Sequence, residues 1–420
     1  MKVLLFMLLG LAVAGGAWAQ PYEVLERVDR LVDLSGIVMV ADTGEVVYQK
    51  SFGFADHQSK KAIDEHTLFP LASLTKPFTA MAIGLLQEQG RLDFDDPIAE
   101  YLVQFASNPT LTIRHLVEHR SGLIRDLTDQ RVISPYELIE LEDLVDAIAK
   151  APMRSKTGST VQYSNANYQV LARLIEVVAQ QSYESYLKDH ILLPAKMDAT
   201  RILEDFGSPE LAKGHAHGNL LAGYHFSHAY GSGNLASTVS DLYAFEKARK
   251  AGVFGVPSKL LGWMHGSLQG RAYREHTGHL GSGYATCLRF FEDEDLVVIV
   301  LLNTQFPDVL ELVDALSAEA LGLSINHTDG REWDLVGSSL DRTVFQGGDG
   351  DSLALQMKNG ILMVQPMQGR PVYLKRVGEG VYCDFEHPLF THHLFADESG
   401  SLSAYEIRGL VRSTRYERVF

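Results

Sequence analysis

A hydroxyl and a primary amine lie three residues apart at Ser73 and Lys76, in the run Phe69-Pro70-Leu71-Ala72-Ser73-Leu74-Thr75-Lys76-Pro77-Phe78. If a helix starts near Ser73, that spacing puts both groups on one face, one turn apart. The helix N-terminus then adds partial positive charge and free N–H groups beneath the serine. Pro77 suits the start of a helix better than its interior. A serine becomes a useful nucleophile only when a base takes its proton, and a lysine can be that base only where burial or neighbouring cations lower its pKa. The pair alone fits a capped helix with a solvated lysine equally well, because Ser185 and Lys188 repeat the spacing on what reads as an ordinary surface helix.

Two further stretches carry chemistry. In Val161-Gln162-Tyr163-Ser164-Asn165, a phenol and an amide two residues apart in a loop can face one cleft. Tyr163 could relay a proton to a leaving group, and the Asn165 amide could bind both a lysine amine and a substrate carbonyl. The same residues also read as a helix entry capped by Ser164 or Asn165. His276-Thr277-Gly278, followed by His279-Leu280-Gly281-Ser282-Gly283, turns glycine-rich just before two strands. Glycine at a strand edge lets a ligand approach the backbone, and unpaired edge N–H groups can form half of an oxyanion hole. A plain glycine-rich turn fits as well. Lys156-Thr157-Gly158 competes for this role, but it runs straight into Tyr163 and is not expected to form an opposing wall. His215, His217, His225 and His228 lack partner carboxylates or a helical i, i+4 pair and read as loop histidines, so no metal is implied. Gly-x-Ser-x-Gly and phosphate-binding glycine motifs are absent.

The elements that must position these residues follow from pattern. Residues 36–41 and 45–49 read as strands joined by the turn Asp42-Thr43-Gly44. Helical stretches are expected at 73–89, closed by Gly90, at 168–187, at 238–247 and at 309–321. Strong strands are expected at 283–291 and 296–303, joined by an acidic turn. Strands at both ends with helices between them suggest an α+β fold, an antiparallel sheet whose first and last strands meet, flanked by helices. Beyond Leu323 the chain changes to short β-type runs separated by turn residues, with a hairpin signal at Lys358-Asn359-Gly360. About ninety such residues suggest a separate small β-barrel or sandwich.

The chain has 420 residues with a formal net charge of −16, a balance unsuited to nucleic acid. Met1-Lys2, the apolar run to Ala14 and Ala17-Trp18-Ala19 predict a secretory signal cleaved after Ala19. The mature chain is then expected outside the cytoplasm, periplasmic or secreted, with no membrane span. Export would permit a disulfide, but Cys287 and Cys383 read equally as free thiols.

Taken in order, the three motifs resemble the serine penicillin-recognising enzymes, in the group of class C β-lactamases, D,D-peptidases, D-aminopeptidases and esterases. Gly90-Arg91-Leu92-Asp93, Thr112-Ile113-Arg114-His115-Leu116 with Ser121-Gly122-Leu123, and Ala236-Ser237-Thr238 are similar to later landmarks of that group. The resemblance covers about residues 25–322 and implies an added all-helical subdomain. With the patterns above, it divides the chain into a signal peptide at 1–19, a hydrolase domain at 20–323 and a lipocalin-like β-barrel domain at 324–420. It implies that Ser73 is acylated, that Lys76 and Tyr163 share acid–base work, and that Asn165 orients Lys76 and substrate. His276 would stand where most β-lactamases of the group have lysine. The backbone N–H groups of Ser73 and His279 would form the oxyanion hole beside Gly278. No cofactor is implied. Histidine at 276 resembles peptidases and esterases more than efficient β-lactamases, since a neutral or part-charged imidazole anchors a carboxylate less well than an ammonium. The expected activity is therefore a peptidase, amidase or esterase on small or short-peptide substrates, with β-lactamase second. A penicillin- or peptide-binding module without turnover is the alternative of another class.

Overall fold

A computed structural model describes Tyr22, Leu25, residues 34–127, 134–205, 208–216, 219–221, 223, 225–255, 261–304, 306 and 309–323, together with eight strands between 343 and 418. The expected signal segment lies outside the described residues.

The chain opens with strand β1 (Gly36–Asp42) and β2 (Glu45–Phe52). Thr43 and Gly44 between them both adopt positive φ, as a two-residue hairpin turn requires. Helix α1 (Lys76–Glu88) follows, then the short α2 (Ile113–Val117), α3 (Leu141–Lys150), α4 (Asn165–Ala179), α5 (Tyr183–Leu187) and α6 (Val239–Lys250). Strands β3 (Met264–Leu268), β4 (Arg271–Leu280), β5 (Tyr284–Phe291) and β6 (Leu296–Leu302) precede α7 (Val309–Ala320). The strands form one antiparallel sheet in the order β3-β4-β5-β6-β1-β2. The first and last strongly apolar strands meet, with Gly36 opposite Leu302 and Asp42 opposite Leu296.

The apolar runs of β1 and β6 follow from cover on both faces. Ile37, Met39, Ile299 and Leu301 join the core that includes Phe78 of α1 and Phe245 of α6. Val38, Val40, Val298 and Val300 pack with Leu312, Val313 and Leu316 of α7 on the other face. β2 leaves most of its side chains exposed at the sheet edge.

Two readings of the sequence change. The helical stretch expected at 168–187 is two helices, because Gln180 ends α4 with φ +58 and Ser182 caps α5. β3 and β4 were not expected as strands. β4 carries Arg271, Arg274, Glu275, His276 and His279, a composition that hides its alternation. Part of that charge is buried: Arg289 of β5 is fully enclosed and pairs with Glu275 of β4 and Asp314 of α7, each at 2.7 Å. This ion triad ties the strand bearing His276 to the helix behind the sheet.

In the C-terminal part, strands β7 (Thr343–Gly347), β8 (Ser352–Lys358), β9 (Ile361–Pro366), β10 (Val372–Gly378), β11 (Val381–Asp384), β12 (Thr391–Ala396), β13 (Leu402–Arg408) and β14 (Ser413–Arg418) pair antiparallel in sequence. β7 also pairs with β14. The hairpin expected at Lys358-Asn359-Gly360 corresponds to the pairing of β8 with β9, with Lys358 opposite Ile361; residues 359 and 360 lie outside the described residues. Cys287 is a buried free thiol.

Candidate active site

Ser73 sits in a tight 3-10 turn (Ala72–Thr75) that runs directly into α1, with Pro77 in the first helical turn. Ala72, just before it, has φ +51. That left-handed conformation is unfavourable for a residue with a Cβ, by about 1–2 kcal/mol, and persists here because the surroundings enforce it. Leu71 N–H donates to Leu235 O at 2.7 Å, and Thr286 Oγ1 donates to Leu71 O at 2.8 Å. Gly278 of β4 is the other constraint: a Cβ there would lie 2.0 Å from Leu71 O and 3.0 Å from Ala72 Cβ. Only glycine lets the strand press against the nucleophile's turn. β3 pairs with β4 only as far as Glu275, so among the described residues the outer edge of β4 from His276 to Leu280 has no strand neighbour and lies toward this turn.

Two polar groups converge on Ser73 Oγ. Lys76 Nζ donates to Ser73 Oγ at 3.0 Å and to Ser232 O at 2.8 Å. Tyr163 OH donates to Ser73 Oγ at 2.8 Å. The Lys76 ammonium also lies 4.9 Å from the Tyr163 ring centre. Lys76 has no exposed surface, and burial, opposed by Asp126 and aided by Arg125, lowers its pKa to about 7. Burial pushes the Tyr163 phenol up to about 12. Of the two groups touching the serine, therefore, only Lys76 can lose its proton near neutral pH.

Tyr163 is placed by its neighbour. Ser164 caps α4, accepting the Asn167 N–H, while its own hydroxyl donates to Ile124 O at 2.5 Å. The helix-cap reading of this stretch holds for Ser164, the residue next to Tyr163. Asn165 departs from expectation. No hydrogen bond joins it to Lys76; its Nδ2 instead donates to both carboxylate oxygens of Asp126 at 3.0 Å. A carboxylate can only accept, which turns the amide NH2 toward Asp126 and leaves the buried Oδ1 without a partner.

His276 is buried beside the site, and its Nδ1 shares a 2.7 Å hydrogen bond with Thr277 O, which can only accept. The proton is therefore on Nδ1. Burial, then the nearby Lys76 charge, lowers its pKa to about 3, so the ring is neutral near neutral pH. Lys156-Thr157-Gly158 forms no strand; Thr157 and Gly158 bond to Ser121 and Arg120 in the loop beside α2. His225 and His228 interact with Ser227 and the Glu137 carbonyl, and the His215 ring packs at a tilt against His57, centres 3.7 Å apart and planes at 54°; His217 lies outside the described residues. Sequence reasoning missed Ser232, Arg125, Asp126 and His119. The landmark Ser121-Gly122-Leu123 was the available signal for the last three, since all flank it.

The fold and this constellation define a serine-hydrolase scaffold of the β-lactamase and transpeptidase type. A sequence model of the Beta-lactamase family matches residues 25–322, and the chain belongs to that family. It is 32% identical to Penicillin-binding protein 4* of Bacillus subtilis over 51% of this chain and 52% of that protein, and so spans about half the length of that relative. The octameric penicillin-binding protein homologue from Pyrococcus abyssi superposes with TM-score 0.64 at 20% identity, covering 94% of this chain and 99% of that one. D-amino acid amidase from Ochrobactrum anthropi gives 0.62 at 21% identity over 71% and 99%. At these identities the two structures show the shared fold alone. No helix among the described residues is long and apolar enough to cross a membrane.

Proposed function

We propose that this chain is an exported serine hydrolase that forms an acyl-enzyme on Ser73 and acts as a peptidase, amidase or esterase on small acyl substrates, including short D-amino-acid-containing peptides. The observation that carries this reading is the meeting of Lys76 Nζ and Tyr163 OH on one oxygen, Ser73 Oγ, at 3.0 and 2.8 Å. Lys76, neutral above about pH 7, accepts the serine proton as Oγ bonds to the substrate carbonyl carbon. The N–H groups of Ser73 and His279 hold the developing oxyanion. Tyr163 gives its hydroxyl proton to the departing nitrogen or oxygen and recovers one from the Lys76 ammonium. Water then attacks the acyl carbon by the reverse relay and frees Ser73. Asn165, held by Asp126, would contact the substrate rather than Lys76. The neutral His276 supports a peptidase or esterase over a β-lactamase, whose substrates carry a carboxylate that a fixed cation would bind.

Residues 1–19 act in this reading as a cleaved export signal. Residues 324–420 form a lipocalin-like barrel domain, which the consecutive pairing of β7 to β14 supports. The test is a panel of p-nitrophenyl acetate, D-alanyl p-nitroanilide and a chromogenic cephalosporin, assayed on wild type and Ser73→Ala. Wild type should release product with kcat/KM rising through a pH near 7, and mass spectrometry should show a transient acyl adduct on Ser73. Undiminished hydrolysis by Ser73→Ala defeats the proposal, and a permanent adduct without turnover favours a binding module.

A further inference from the structure

His119 meets the catalytic loop at three consecutive residues. Its carbonyl accepts the Gln162 N–H at 2.7 Å. Its imidazole stacks on the Tyr163 ring, with centres 4.6 Å apart and planes 26° from parallel. Its Nδ1 accepts the Ser164 N–H at 3.1 Å. The far side of the clamp is also fixed, since the ring leans on Tyr168 at 5.2 Å and Tyr168 OH donates to Val117 O in α2. His119 itself has φ +56, a strained conformation for a residue with a side chain. Such strain persists only where surroundings demand it, and here it lets one residue present both its carbonyl and its ring to residues 162–164.

We infer that His119 is a positioning residue that sets the plane and reach of the Tyr163 phenol, so that its hydroxyl meets Ser73 Oγ. The inference rests on the acyl-enzyme reading above. The hydrogen bond from Ser164 fixes the tautomer: Nδ1 must be bare and the proton must sit on Nε2. Protonation would set a donor against the Ser164 N–H. It would also place a cation near the Lys76 ammonium of α1, with the neutral His276 ring of β4 beside it. Burial and Lys76 accordingly hold its pKa down, to about 4. His119 takes no proton in the reaction and acts through Tyr163 alone.

The test compares His119→Ala, His119→Asn and His119→Phe in the full chain, alone and combined with Tyr163→Phe, using p-nitrophenyl acetate and D-alanyl p-nitroanilide. A shift of about 1 Å in a reacting group can lower a rate about 100-fold, so His119→Ala should lose about 10- to 100-fold in kcat while KM changes less than twofold. Asn, whose amide oxygen can accept from Ser164, should recover most of that loss. Phe, which keeps a stacking ring but no acceptor, should fall below Asn. If His119→Ala does not fold, the Asn and Phe variants carry the comparison. In the Tyr163→Phe background, replacing His119 should change kcat less than threefold, because its effect passes through the missing hydroxyl. The inference is overturned if kcat stays within twofold in His119→Ala, if Asn does no better than Phe, or if the effects of the two sites multiply. Those outcomes leave the acyl-enzyme reading intact as long as Ser73→Ala is inactive. An active Ser73→Ala removes that reading first.

Discussion

Replacing Lys76 should make this protein more stable, and the size of the gain should depend on pH in a way that identifies its cause. Lys76 is fully enclosed, and burial takes its pKa from 10.5 to about 7. Below pH 7 the lysine is protonated in both states, and the folded protein bears the whole penalty of a buried ammonium. At about 1.4 kcal/mol per pKa unit, that penalty is about 5 kcal/mol. Between pH 7 and 10.5 the unfolded chain still holds the proton and the folded one does not, so wild-type stability climbs by about 1.4 kcal/mol per pH unit. Above pH 10.5 the penalty is gone. Lys76→Met keeps the volume without the charge, but it leaves Ser232 O without the donor it now has at 2.8 Å. An unsatisfied buried carbonyl costs about 1–3 kcal/mol. The variant should therefore gain about 2–4 kcal/mol at pH 6, gain less at pH 8, and be no more stable than wild type at pH 10.5, while losing hydrolysis throughout. Urea unfolding of both proteins at the three pH values measures this through the transition midpoint, provided the slope is unchanged. A gain independent of pH would show that Met packs better and that the lysine is not strained by burial. A loss at pH 6 would show that the ammonium is stabilised where it lies, and would remove the argument that Lys76 can serve as a base near neutrality.

Two further substitutions test the frame around the site. Gly278→Ala places a Cβ 2.0 Å from the Leu71 carbonyl, a backbone atom that cannot swing aside. The strand and the nucleophile's turn must part, so hydrolysis should fall at least about 100-fold, an effect on the scale of losing an oxyanion donor; activity near wild type would mean that β4 does not border the reacting centre. Arg289→Met removes the buried cation that pairs with Glu275 and Asp314. Unfolding measurements should show a loss of about 3–5 kcal/mol, whereas a variant as stable as wild type would make the triad dispensable.

The parts of this molecule that could be read in advance are those where local pattern and tertiary role coincide. β1 and β6 are apolar throughout because both of their faces are covered, and such runs are legible in any order of residues. Ser73 and Lys76 meet because three residues of tight turn put them together, a distance along the chain that converts directly into a distance in space. Tyr163 was legible only through its order relative to the other motifs, since 90 residues separate it from Ser73. β4 was not legible as a strand. Its Glu275 and Arg274 look like surface residues, yet Glu275 is buried because Arg289 of the neighbouring strand β5 pairs with it. Burial of a charge depends on a partner that no local window contains.

Asn165 shows the same limit at the site itself. An amide can donate or accept with equal ease, so the residue type fits an acceptor for Lys76 as well as a donor to something else. What decides is the loop after Ser121, which brings Asp126 within 3.0 Å. Once a carboxylate stands there the amide has one orientation, and the second partner of Lys76 is the Ser232 carbonyl. That partner is a backbone atom, which leaves no trace in residue identity, and it pins the lysine whatever side chain occupies position 232. The orientation of the base is thus set by the path of the 231–235 segment rather than by Asn165.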